Sequence, residues 1–569
     1  MTQSLPATSH EFAELGWDRI EPFYRDLEAQ TLTQGSVAGW LADWSRLAAL
    51  VSETEQRLLV ATSINTADKG AEARLERYLD GVYQEAQKAD QRLKERLIAS
   101  GLEPEGFNVP LRNMRAEADL FREANVPLQA RELKLSTEFD QVVGAQTVEW
   151  KGEEIPIARL SPVLEQTDRA EREKAWRLMV GRKIEDRARL NEIWQRFFSL
   201  RSEIAANAGL PSYREVKWRE LLRFDYTPED CKRFHEAIER VVVPVAGRIY
   251  ERRRKALGLE VLRPWDLDVD PSGKPGLKPF ADVRAMIDKC LSVLGKVDPE
   301  LGAQFQTMDE EGLLDLESRK NKAPGGYCTN FDVVRKPFVF MNASGVHDDV
   351  QTLLHEAGHA FHVFATSNLP YQQQLAYTSE IAEVASMSME LLAGPYLADP
   401  EAGFYTEAEA ARARIQHLEG MVLFWPFMAV VDAFQHWVYE NPGQGIEPEA
   451  CEAKWTELWQ RFMPGVDWSG LEFERAMGWQ RKLHIFVVPM YYVEYGMASL
   501  GALQVWRNSL TDPAGAVRAY RHMLSLGGTR PLPELFAAAN ARFAFDDATL
   551  GEAVGLVEGK LEELGALAG

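Results

Sequence analysis

Helical periodicity runs through most of this 569-residue chain and constrains its fold more than any other feature. Between Gly70 and Ser100 the apolar positions Leu75, Tyr78, Leu79, Val82, Tyr83 and Ala86 recur at three- and four-residue steps. That spacing puts them on one face of an amphipathic helix, and Glu, Arg, Lys and Gln fill the solvated face opposite. Thr227-Pro228-Glu229-Asp230 marks another helix start, with Thr as cap, Pro in the first helical position and acids in the first turn. The period-two alternation of a half-buried strand is scarce, and the best strand candidates are short and lie just upstream of residue 350. The expected fold class is therefore mainly α.

Acidic residues outnumber basic ones, 86 to 64, for a net charge of −22. A surface this acidic is a poor match for a phosphate backbone or an anionic membrane, so neither nucleic acid nor membrane is an expected partner. Its simplest use is solubility. Cys231, Cys290, Cys328 and Cys451 form no CxxC and no disulfide framework; they read as buried apolar residues in a reducing compartment. The opening residues have neither a basic nor an apolar leader region, and apolar stretches such as Ile485–Val493 fall far short of a bilayer span. The expected location is the cytoplasm. Gly258–Phe280 is the clearest irregular segment, rich in Pro and Gly, and no internal repeat is visible. Nine of the ten histidines follow residue 230, which places the chemistry in the later two thirds of the chain.

His355-Glu356-Ala357-Gly358-His359 fits H-E-x-x-H. Asp348, with Gln351 three residues on, reads as the start of its helix. At about 100° per residue the two histidines sit about 40° apart on one face, where they can bind one tetrahedral zinc. Glu356 lies beside that face and can act as a general base toward a water on the metal. The small Gly358 leaves room for another backbone or a ligand. A metzincin needs Gly and His where this chain has His362 and Ala365. No Asn precedes a third ligand as in the thermolysin pattern, and Thr378, 19 residues past His359, cannot bind metal. The next helical segment, Tyr377–Glu390, offers Glu380 and Glu383. Glu383 is flanked by Ile381, Ala382, Val384 and Ala385, a setting in which an unpaired carboxylate is costly and a metal would compensate it. It is the expected third ligand; Glu380 stands either behind the metal site or at the surface. His362, on the same face as His355, reads as a residue supporting the site or lying at the surface rather than a fourth ligand.

The run HEAGHAFH followed by Glu383-Val384-Ala385-Ser386 resembles the M3 family of zinc oligopeptidases, in its oligoendopeptidase F branch. Arg263-Pro264-Trp265-Asp266-Leu267, Pro324-Gly325-Gly326-Tyr327-Cys328 and Gly527-Gly528-Thr529 are similar to further segments of that family, and the likeness covers roughly residues 200–545. The resemblance implies a two-lobed helical metallopeptidase with a deep central channel, one Zn²⁺ per chain, and oligopeptide substrates cut at internal bonds. A small β-element is expected beside the HExxH helix. Residues 1–165 are expected to form an N-terminal helical region and residues 166–569 the catalytic domain. Carried over, His484 matches the family's oxyanion-stabilising His, and Tyr492 and Tyr495 its Tyr pair, while a further Tyr role is vacant or taken by Tyr491. The tetrahedral oxyanion of peptide hydrolysis needs such donors; the alternative is that these aromatics are simply core. Phe338–Asn342 reads as a strand. If it lies at a sheet edge, the strand around Asn342 can pair with an extended peptide, and Gly325, Gly326 and Tyr327 can do so from the other side. Two rival readings are a helical HExxH carboxypeptidase and a catalytically silent zinc-containing peptide binder. The oligomeric state is not legible.

Overall fold

A computed structural model describes residues 4–323, 325–400 and 403–568. Pro324, at the head of the Gly-rich segment, lies outside the described residues. The fold is mainly α-helical, with a two-stranded hairpin and one three-stranded sheet. The stripe between Gly70 and Ser100 is realised by helices Lys69–Tyr78 and Gln84–Ser100, joined through a widened π-turn at Leu79–Tyr83. Its buried positions step through Tyr78, Val82 and Ala86 across that turn. The Thr227 cap forms as expected, its hydroxyl accepting from the Asp230 amide at 3.2 Å.

Two large hydrophobic units are packed, beside a small third one of Ala246, Tyr250 and Leu262. One gathers buried residues from Phe12 to Met114 around α1 (Val37–Ile64), with the ring centroids of Trp40 and Trp44 5.1 Å apart. The larger unit takes in Leu128, Phe139 and Leu160 and continues to Leu564. Packing therefore changes partners before residue 165: the stretch from Leu128 onward is built into the larger core. The smaller unit is tied to the sheet through α1. Glu53 accepts the Val333 amide at 2.6 Å, Ser52 donates to Asp332 at 2.6 Å, and the Ala323 amide donates to Ser63 at 2.8 Å.

The sequence segment Arg263–Leu267 is a clamp. Asp266 is fully buried and bound by Arg169, from α2 (Arg169–Glu185), at 2.9 and 2.8 Å. Arg172 reaches the same carboxylate at 2.9 Å and also donates to the Trp265 carbonyl. Burial alone would raise the Asp266 pKa, but the bonds from Arg169, Arg263 and Arg172 hold it below its ordinary value.

Strands β1 (Thr147–Trp150) and β2 (Glu153–Pro156) form the hairpin. Strands β3 (Leu314–Glu317), β4 (Tyr327–Phe331) and β5 (Lys336–Ala343) form the sheet in the order β3-β5-β4, with β5 parallel to β3 and antiparallel to β4. Phe338–Asn342 is thus a strand, as read, but it is the central one. Its backbone is committed on both sides, which removes the edge-strand role expected for it.

The motif helix α3 (His347–Thr366) follows β5 directly. Its start differs from the expected one. Val346 occupies the cap, and Asp349 rather than Asp348 collects the amides of Ser344, Gly345 and Val346 at 2.8, 2.7 and 2.9 Å. Helix α4 (Ser379–Ala393) crosses α3 at Gly358. Helix α5 (Glu407–Glu440) is long and apolar enough to cross a bilayer by composition, with a mean hydropathy of 1.3 in its most apolar window. Its Met421–Val431 run is a longer apolar stretch than Ile485–Val493. In the fold 61% of that window is buried, and Trp425 donates to the Gly496 carbonyl of α6 (Val493–Ser509), so α5 serves as a core helix.

A Cβ added at Gly358 would lie 2.6 Å from Ser386 Cα and 2.7 Å from the Ala385 carbonyl, both backbone atoms that cannot swing aside. Gly358→Val is expected to cost about 1–3 kcal/mol of stability by forcing α3 and α4 apart. Chemical denaturation of the two proteins measures it.

Candidate metal centre

The close crossing at Gly358 brings the second turn of α4 against the HExxH face of α3. His355 and His359 stand one turn apart with ring centroids at 4.9 Å and planes at 83°. Glu383 faces both: its Oε2 is 3.3 Å from His355 Nε2 and 3.9 Å from His359 Nε2. One ligating atom from each of the three lies within 4.8 Å of the others. These are the donor types of a His₂Glu site that leaves a fourth position for water. Ser386 donates to Glu383 Oε2 at 3.0 Å, which fixes the carboxylate from behind.

Sequence reading missed two residues here. Glu390 Oε1 is bonded to His355 Nδ1 at 2.7 Å, and its Oε2 lies 2.8 Å from His417 Nε2. Glu390 follows Glu383 by two helical turns, so the shared face was legible in the spacing. His417 arrives on α5, and nothing local announces it. A carboxylate on the rear nitrogen fixes the ring and tautomer of a metal-ligating histidine.

The electrostatics fit a cation. Burial pushes the His355 imidazole down, yet its bonds to Glu383 and Glu390 raise it well above its ordinary pKa. The two carboxylates thus demand positive charge at this spot, a demand a divalent ion meets. Burial drives His359 down to about 4, which leaves it a neutral imidazole with a lone pair to offer. Glu356 is buried, and its Oε2 has no hydrogen-bond partner within the protein. Burial pushes its pKa up to about 7, with His355 opposing and Glu383 and Glu390 adding. A buried carboxylate oxygen left unsatisfied beside a ligand set has room for one more donor, such as a water.

The aromatic cluster lies against this group. The Tyr491 hydroxyl donates to Glu383 Oε1 at 3.4 Å. The Tyr491 and Tyr495 rings are 5.2 Å apart, and His484 lies 6.0 Å from Tyr495 and 4.8 Å from Tyr492. Tyr492 is engaged differently, for it is buried and its hydroxyl accepts from Lys482 Nζ at 2.8 Å. Burial, with Lys482 beside it, pushes His484 down to about 4, and its Nδ1 is buried without a partner. A neutral imidazole and two phenols therefore stand on the Glu383 side as hydrogen-bond donors.

The remaining candidates are placed as follows. Asn342 donates to the carbonyls of Ala323 and Gly325 at 2.8 and 3.0 Å, so it holds the Gly-rich loop. Tyr327 opens β4 and stacks on Phe340 at 4.8 Å, a packing role. Gly326 abuts the Phe340 carbonyl, and β4, like β3 and unlike β5, lies at an edge of the sheet. His362 is buried rather than at the surface and stacks on Tyr377 at 3.5 Å, outside the ligand set. Glu380 is likewise buried and accepts from Tyr226 at 2.7 Å, beside the Arg223–Glu494 pair, away from the metal group. Gly528 of the Gly-Gly-Thr segment packs against the Ala376 carbonyl, so close that a Cβ there would clash with the loop leading into α4.

A second group, Cys231, Asp432 and His436, has metal-ligand chemistry. Its charge is already balanced from within: Asp432 lies 2.8 Å from His235 Nε2 and 3.3 Å from His436 Nε2. Arg214, a donor, faces the rear nitrogen of His436 at 3.4 Å, the opposite of what a ligating histidine needs.

The sequence pattern of Peptidase family M3 matches residues 163–554. The chain is 24% identical over 303 residues to an oligoendopeptidase F homolog of Borreliella burgdorferi, covering 52% of this chain and 49% of that protein. It is 24% identical over 296 residues to the oligopeptidase PepF of Bacillus subtilis, covering 51% and 42%. The chain thus spans about half the length of the curated relatives it matches. Among solved structures it superposes on PZ peptidase A with a TM-score of 0.86 at 27% identity, over 99% of each chain. A structure described as an oligoendopeptidase F gives 0.87 at 27% identity, over 98% of each. The likeness to solved structures therefore includes the N-terminal unit, where sequence motifs are lacking. With more than half its length matched and the HExxH–Glu383 geometry in place, the chain belongs to peptidase family M3.

Proposed function

We propose that this protein is a zinc-dependent oligoendopeptidase, with one Zn²⁺ per chain, that hydrolyses internal bonds of short unstructured peptides. The observation that carries the reading is the buried, unpartnered Glu356 oxygen beside the three converging ligand atoms of His355, His359 and Glu383. Zinc held by these three residues would polarise the scissile carbonyl and lower the pKa of a water. Glu356 takes the proton of the attacking water and passes it to the leaving amine, a role suited to a carboxyl whose burial brings it near neutrality. Glu390, backed by His417, holds the His355 ring so that Nε2 faces the ligand set. Tyr491, Tyr495 and His484 donate to the oxyanion. Tyr492 supports them by packing, since it is buried and its hydroxyl is directed at Lys482. Gly325 and Gly326, in the loop held by Asn342, border the unpaired side of β4 where an extended peptide can add main-chain bonds.

The test is a ladder of unstructured peptides of about 4 to 30 residues, with product masses read with and without a zinc chelator, on the expectation that a bounded cavity limits ligand size. Internal cuts lost on chelation support the reading. Trimming of single C-terminal residues would replace it with a carboxypeptidase, and zinc without cleavage would replace it with a peptide binder.

Glu356→Gln is expected to lower kcat at least 10²–10⁴-fold while zinc content stays at that of the parent. Glu383→Ala is expected to abolish stoichiometric zinc in elemental analysis, and Glu390→Gln to weaken zinc about 10–100-fold in chelator competition. Tyr491→Phe and Tyr495→Phe are each expected to cost about 10²–10³-fold in kcat, measured by steady-state kinetics, through the lost oxyanion donor. Tyr492→Phe is expected to leave kcat within a few-fold and to lower stability instead, because it removes the acceptor of a half-buried ammonium.

A further inference from the structure

Met490, directly before Tyr491, has a φ of 68°, in the left-handed region that a bulky L-residue rarely adopts. Among the described residues six non-glycine residues have a positive φ, and of these only Met490 is buried. A glycine would suit the dihedral, but the Met490 side chain is fully enclosed in the core, where its volume fills space. The conformation therefore has to be imposed by the surroundings.

Both backbone polar groups of Met490 are taken by buried side chains from distant elements. Its amide donates to Gln435 Oε1, on α5, at 2.7 Å. Its carbonyl accepts from Arg223 Nη2, in the turn after helix Tyr213–Glu220, at 2.6 Å. The same Nη2 donates to Glu494, in the first turn of α6, at 2.7 Å. Arg223 thus ties the residue before Tyr491 to the third residue after it, and the Glu494 amide donates to the Tyr491 carbonyl at 3.0 Å. Gln435 is itself oriented, since its Nε2 donates to the Val431 carbonyl one turn back at 3.4 Å and leaves Oε1 for Met490. Gln435 and Arg223 are both buried, so loss of either bond would strand a backbone group of Met490 away from water.

The turn meets the metal group in space through Tyr491, whose hydroxyl is 3.4 Å from Glu383 Oε1. Tyr491 precedes α6, so its direction follows from the backbone at Met490 rather than from helix geometry. Returning Met490 to an ordinary negative φ would rotate the chain that follows by roughly 120° and carry the phenol away from Glu383.

We propose that Gln435 is a positioning residue for peptide hydrolysis: by accepting the Met490 amide, opposite Arg223 on the carbonyl, it locks the left-handed turn that aims the Tyr491 phenol at the metal group. This rests on the peptidase reading above, in which Tyr491 donates to the oxyanion. The hydrogen bonds of Gln435 go to Met490 and Val431, so its effect on the reaction passes through Tyr491.

Gln435→Met keeps the length of the side chain and removes the acceptor. Steady-state kinetics on an unstructured peptide are expected to give a kcat about 10–100-fold below the parent with KM within about threefold, at the zinc content of the parent. In a Tyr491→Phe background the same substitution is expected to change kcat by less than about threefold, because the phenol it acts through is gone. A purely structural bond predicts a lower unfolding temperature with the parent kcat in the folded protein, or the same fold-loss in both backgrounds; either result overturns the proposal. Gln435→Asn, which withdraws the oxygen by one methylene and keeps a polar amide, is the second variant, and the same split between kcat and KM is expected of it. If neither variant folds, the bond serves stability and the proposal is overturned as well. A parent protein that cuts no peptide rejects the peptidase reading and this assignment with it. A parent that cuts, beside a Gln435→Met protein with the parent kcat, rejects this assignment alone.

Discussion

A close approach of two helices governs the centre of this molecule. Because residue 358 has no side chain, the backbone of α4 at Ala385 and Ser386 lies directly on α3. Only at that separation does Glu383 Oε2 come within 3.3 Å of His355 Nε2 while Glu390 bonds the opposite nitrogen of the same ring. Larger side chains at the crossing would keep the helices at an ordinary interaxial distance, and the three ligand atoms would not converge. Much of the surrounding fold secures this contact: Tyr520 donates to the Ala385 carbonyl at 2.9 Å, and Gly528 lets the C-terminal segment pack against the loop before α4.

Charge is distributed in the interior according to what each place must do. At the HExxH face the carboxylates of Glu383 and Glu390 raise His355 and call for a cation. At Arg223 the balance is internal, with Glu494 bonded at 2.7 Å. Asp266 is balanced by two arginines, and Asp432 lies between two histidines.

The Tyr cluster shows how far local pattern reaches. Three tyrosines within five positions offer three phenols at nearly the same place in the sequence. In space they separate by role: Tyr491 addresses Glu383, Tyr495 packs on Tyr491, and Tyr492 is held by Lys482. The difference arises because the helix α6 starts at Val493, so Tyr491 and Tyr492 precede it and point independently. A similar distinction applies to the sheet. The apolar run Phe338–Asn342 is legible as a strand, but whether a strand is central or at an edge depends on partners elsewhere in the chain, here β3 and β4.

Taken alone, the sequence determined the helical class, the H-E-x-x-H pair one turn apart, the general-base candidate beside it and the third carboxylate on the next helix. Each of these depends on spacing along one or two helices, where geometry follows from about 3.6 residues per turn. The tertiary structure alone decided that His417 stands behind Glu390, that His362 and Glu380 lie away from the ligand set, and that β5 is central. Those relations join residues tens to hundreds of positions apart. They are fixed by which helices pack against which, and one sequence read by local periodicity carries no record of that.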